Sequence, residues 1–94
     1  MKMNKDRKYY KTYEALRNYR YKTGEEKDII TDFLNTLDEI EKEVIDLHFF
    51  HLYRLTPISN KMKFTREYTE SIRDSVIFRL SKILLEDEEI NENE

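Results

Sequence analysis

The side chains of this chain that are best suited to chemistry lie between residues 66 and 74, in the stretch Arg66, Glu67, Thr69, Glu70, Arg73, Asp74. A guanidinium such as that of Arg66 or Arg73 can grip the edge of guanine, and a carboxylate such as Glu67 or Glu70 can accept from the amino group of cytosine. Two positive and three negative charges make a poor phosphate-binding surface, however, and a mixed-charge face equally suits a protein partner. A second group lies near the N-terminus. Tyr9, Tyr13 and Leu16 are spaced i, i+4, i+7 among Lys5, Arg7, Lys8, Lys11, Arg17, Arg20 and Lys22. Aromatics interleaved with cations can stack on bases and hold phosphates. The same spacing also describes an amphipathic helix whose tyrosines pack on a core under lysine stems, and helical spacing favours this second reading.

Other chemistries find little support. His48 and His51 are three apart, with Glu43 and Asp46 near, but no third metal ligand falls on the same helical face. The chain has no cysteine, so thiol chemistry, disulfides and thiolate metal sites are out. One glycine excludes a glycine-rich phosphate loop, and the acid pairs Glu25-Glu26 and Glu88-Glu89 read as solvated charge. No catalytic residue, metal or cofactor is expected, and the chain is not read as an enzyme.

The elements that must position these residues are helical. Thr56 and Pro57 suit the cap and first position of a short helix to Met62, in which Ile58 and Met62 share a face. Thr65 caps a long helix over about 66–85, with Tyr68, Ile72, Val76, Leu80 and Ile83 as its apolar stripe. Short helix, tight turn and long helix make a helix-turn-helix pattern, whose second helix can enter a DNA major groove. Upstream, a helix over 4–22 ends at Gly24. A second runs over about 25–37, with Thr23 and Glu26 as a capping box and a wide stripe of Ile29, Ile30, Phe33, Leu34 and Leu37. A third runs over about 39–53, capped by Asp38, with ridges Ile40, Val44, Leu47 and Ile45, Phe49, Leu52. The fold class is all-α, a small five-helix bundle containing a helix-turn-helix. The chain divides into a basic, tyrosine-rich N-terminal helix (1–24), a helix-turn-helix domain (25–85) and an acidic tail (86–94) expected to be disordered.

Composition sets the limits. Ninety-four residues with 38% hydrophobic and 39% charged side chains make one small domain with a modest core and wet surfaces. No apolar run approaches the roughly 20 residues of a membrane span, and no apolar signal core follows the basic start, so a cytoplasmic protein is the default. The net charge of −3 is laid out in blocks: +6 over residues 1–22, −7 over 23–47, +4 over 48–84 and −6 over 85–94. A polyanion can bind the positive blocks, or adjacent blocks can pair within the fold.

From Leu37 to Leu84, half the chain, the pattern resembles region four of bacterial sigma factors and the related small phage regulators of the ArpU type. LDEIEKEVIDLHFF stands where a helix precedes that unit, Ile58-Ser59 where the first helix carries its Ile-Ala pair, and Met62-Lys63-Phe64-Thr65 at the turn. Ile72, Val76, Ile77 and Leu80 fall on the apolar positions of the second helix, without a gap. The chain departs from the pattern at the turn glycine, which is Lys63, at an early valine, which is Thr69, and at an arginine after the helix start, which is Glu67. A left-handed Lys63 would cost about 1 kcal/mol. The resemblance implies promoter DNA and RNA polymerase as partners. Thr65, Arg66, Glu67, Thr69, Glu70 and Arg73 would face the groove, Lys61 and Lys63 would hold the backbone from the turn, and the N-terminal helix would add phosphate contacts.

The leading expectation is therefore a phage-encoded, DNA-binding transcription regulator acting at promoters with RNA polymerase in the host cytoplasm. The alternative is a non-catalytic protein-binding module, an inhibitor or adaptor whose acidic blocks mimic DNA or dock on a basic groove of a host protein. A third option is that the tyrosine-rich helix joins two copies into a homodimer, as two-fold DNA readers require.

Overall fold

A computed structural model of the chain describes residues 5–85. Its five helices are α1 (Arg7–Arg17), α2 (Gly24–Leu34), α3 (Glu39–Ile45), α4 (Leu55–Met62) and α5 (Arg66–Leu84), and there is no strand among the described residues. The expected tail, 86–94, lies outside them.

Local chemistry explains most of the helix ends. Asp6 is extended and its carboxylate accepts from the Tyr9 amide at 3.2 Å, so α1 starts after Asp6 rather than at residue 4. It also stops short of 22. After Arg17 the chain tightens into a 3-10 turn, Tyr19–Tyr21, which aims Tyr19 at Phe50 and places its hydroxyl on that of Thr31. Gly24 then takes φ +78°, a value that L side chains rarely adopt. Thr23 occupies the cap of α2 without a side-chain hydrogen bond, because Glu26 pairs with the Lys22 ammonium instead of closing the expected box. The box at Asp38 does form: its carboxylate accepts from the Glu41 amide at 2.8 Å, and Glu41 accepts from the Asp38 amide at 3.2 Å.

α3 does not run on to 53. It widens into a π-helical turn, Asp46–Phe50, closed by the His51 amide on the Asp46 carbonyl at 3.0 Å. α4 begins at Leu55, with Arg54 in the cap position, so Thr56 is not a cap. Pro57 is third in the helix, still inside the first turn, where a missing N–H costs no bond. Lys63 closes α4 in the left-handed region, φ 61° and ψ 42°, and the Phe64 amide reaches back to the Ser59 carbonyl at 3.0 Å, a Schellman closure. Thr65 Oγ1 then accepts from the Tyr68 amide at 3.1 Å and starts α5.

α5 is the central element. Leu16 of α1, Ile30 and Phe33 of α2, and Ile45 and Phe49 surround its Val76, Ile77 and Leu80 in the main core. A smaller core joins Val44 and Leu47 to Ile58, with Met62 and Ile72 on its edge. The two ridges of α3 and its π turn thus feed two different cores, although Ile40 and Leu52, expected on those ridges, are exposed. The stripe expected on α5 is also displaced. Tyr68 and Ile83 are exposed, and the inward face is Thr69, Arg73, Val76, Ile77, Leu80 and Ser81. Residues four apart step about 40° around a helix, so the row from Tyr68 to Leu80 winds away from the core at its first member.

The left-handed Lys63 is the strained point of the turn. Lys63→Gly is expected to raise stability by about 0.5–1 kcal/mol in urea unfolding, the relief of left-handed strain less the entropy of glycine in the unfolded chain, whereas Lys63→Ala should give no gain.

Candidate nucleic-acid interface

The turn and the first two turns of α5 stand at the surface as one continuous end of the molecule. Lys61 on the last turn of α4, Lys63, Thr65, Arg66 and Glu67 are all exposed there. The other three residues expected at this site are placed differently. Thr69 is fully buried; its hydroxyl donates to the Thr65 carbonyl at 3.0 Å and lies 2.9 Å from that of Ser59, joining α5 to α4. Glu70 is half-buried and accepts from the Lys5 ammonium at 3.1 Å.

Arg73 is only 9% exposed. Both its Nε and Nη2 lie 3.0 Å from Asp74 Oδ1, and its guanidinium sits 6.0 Å from the centre of the Tyr13 ring. It faces α1, not a groove, and a base-reading role for it is corrected to a structural one. The cause is α1 itself. Tyr9 Oη donates to Asp74 Oδ1 at 2.6 Å and Lys5 Nζ lies 3.4 Å from Asp74 Oδ2, so one carboxylate gathers a phenol, an ammonium and a guanidinium. Burial and the bond to Asp74 push the Tyr9 phenol well above its usual range, so it donates at any ordinary pH.

This cluster changes the electrostatics of the outer face. Lys5, Glu70, Arg73 and Asp74 cancel one another against the side of α5. The charges left at the exposed end are Lys61, Lys63 and Arg66 against Glu67, a net of +2 where the linear sequence reads negative. Beside them lies a feature the apolar pattern hides: Tyr68 is 51% exposed and meets Phe64 edge to face at 4.9 Å between centroids. A helical wheel anchored on the Thr65 cap, rather than on the i+4 row, would have placed Tyr68 outward.

The histidines do not meet as a pair. His48 Nδ1 lies 2.8 Å from the Tyr53 carbonyl, which can only accept, so Nδ1 carries the proton and Nε2 accepts from Tyr13 Oη at 2.8 Å. His51 turns to Asp46, with 3.3 Å between Nε2 and Oδ2. No group of three metal-ligating side chains occurs among the described residues.

Two outcomes follow from these contacts. Asp74→Ala leaves a buried guanidinium without its nearest counter-charge and is expected to cost about 3–5 kcal/mol in denaturant unfolding. Burial lowers the His48 pKa below the ordinary 6.5, and Arg73 adds to this while the Tyr53 carbonyl and Asp74 oppose it. The unfolded chain then takes up a proton first as the pH falls. Stability is fully present above about pH 6.5 and declines as the pH drops through the lowered native value; His48→Gln should remove this contribution from a plot of unfolding free energy against pH. Set against known protein families, curated proteins and solved structures, the chain matches none of them.

Proposed function

We propose that this chain is a DNA-binding regulator of transcription that places the start of α5 in the major groove. The observation that carries the reading is the sorting of charge: the acids Glu70 and Asp74 are engaged by Lys5 and Arg73, while Lys61, Lys63 and Arg66 ring the exposed end of the helix-turn-helix. A capped helix after a left-handed turn delivers Arg66 and Glu67 to base edges and the two lysines to phosphates on either side. The order of α3, α4 and α5 is also what a resemblance to sigma region four implies. On that basis promoter DNA and RNA polymerase are the proposed partners, and a phage the proposed source. No described helix is long and apolar enough to cross a membrane.

A second reading has its own observation. The exposed Phe64–Tyr68 pair on a mixed-charge surface suits a protein groove, and by this reading the chain is an adaptor or inhibitor of a host protein.

Binding of the purified chain to duplex DNA across a salt series separates the two. The DNA reading expects affinity that falls steeply with salt. Replacing Lys61, Lys63 and Arg66 together by alanine should flatten the log–log slope by about three, close to one unit for each lost phosphate contact. No binding at low salt, or a slope unchanged in the triple variant, would overturn it and leave the aromatic pair as the docking feature.

A further inference from the structure

A groove of about 490 Å³ runs between α1 and the C-terminal end of α5, away from the helix-turn-helix turn. Arg7, Lys11, Thr12 and Ala15 form its α1 side, and Leu84 and Leu85 its other wall. One wall atom is incompletely satisfied. Thr12 is 1% exposed and its hydroxyl has no hydrogen-bond partner, a cost that an acceptor within the groove would remove.

The chain itself supplies an occupant. α1 and α5 run in the same direction, with Lys5 beside Glu70, Tyr9 beside Asp74, and Leu84 sharing the groove with Ala15. The backbone therefore reaches Leu85 at the far end of α1, inside the groove, with the helix's cations lying back toward its start. The nine residues that follow, EDEEINENE, carry six carboxylates, no cation and one apolar side chain, Ile90. Extended, nine residues span about 30 Å, while the 11 residues of α1 are about 16 Å long, so the segment can retrace the whole helix.

We infer that residues 86–94 fold back along α1, antiparallel to it, with their carboxylates on the Arg7 and Lys11 side of the groove and an acceptor within reach of Thr12. A tethered segment meets the groove at an effective concentration in the millimolar range, which a free polyanion must exceed. The inference needs no DNA, and it stands or falls separately from the function proposed above.

The absence of cysteine makes the test direct. A nitroxide attached to Asn91→Cys in the full-length, 15N-labelled chain reports which amides the segment approaches. The amides of Arg7 to Thr12 are expected to lose most of their intensity while those of α4 keep theirs. The loss should be reversed in about 0.5 M salt, where screening shortens the reach of charge to a few ångströms. Charge reversal by Arg7→Glu with Lys11→Glu should reverse it as well, and the salt arm decides the matter if that variant fails to fold. Uniform weak broadening, or broadening centred on α4 and the turn, would overturn the inference. So would broadening of the 15N chain when the nitroxide is carried only by unlabelled copies, since the occupant would then be a second molecule.

Discussion

The Asp74 carboxylate is the constraint on which the arrangement of this chain depends. The inward face of α5 carries a guanidinium, Arg73, and an uncompensated charge at that depth would cost several kcal/mol. Asp74 meets it, and in doing so brings Tyr9 and Lys5 of the N-terminal segment onto the side of α5. Once α1 is held there its apolar residues have one place to go: Leu16 enters the main core beside α2 and α5, and Tyr9 packs against Phe78. The basic N-terminal segment, read from sequence as a separate stretch, thus shares its core with the helices of 25–85.

The same cluster decides what the surface offers a partner. Charges of both signs crowd the first half of α5 in the sequence, but those facing α1 are matched in pairs. Those facing solvent at the end of α4 and the start of α5 are mostly cations. Net charge per stretch is therefore a poor guide to field: four charges that neutralise one another at contact distance contribute little beyond about a Debye length, and the unmatched ones dominate there.

The π turn has a comparable effect on packing. By lodging one more residue in the turn after Ile45, it lets Leu47 face the small core under α4 while Phe49 faces the main one. It also brings His48 to the Tyr53 carbonyl and the Tyr13 hydroxyl, which satisfies both ring nitrogens of a half-buried side chain. Leu52, just beyond, is left-handed and 71% exposed, a position that helical periodicity assigns to the core.

The sequence by itself determined what depends on neighbours a few residues away. That covers the all-α class, five helices in order, the caps at Asp38 and Thr65, the left-handed break at Lys63 and the short-turn-long pairing of α4 with α5. Each of these follows from hydrogen bonds or dihedral preferences closed within one or two turns, so the residue types carry the information. At the candidate site, the exposed end of Lys61, Lys63, Thr65, Arg66 and Glu67 was legible for the same reason. Tertiary structure alone decided the direction of Arg73, the pairing of Glu70 with Lys5, and the exposure of Tyr68 and Leu52. Lys5 and Glu70 are 65 residues apart, as are Tyr9 and Asp74. No local rule links residues so distant. An arginine near the start of an amphipathic helix reads as solvent-facing until another helix brings a buried carboxylate and phenol to meet it.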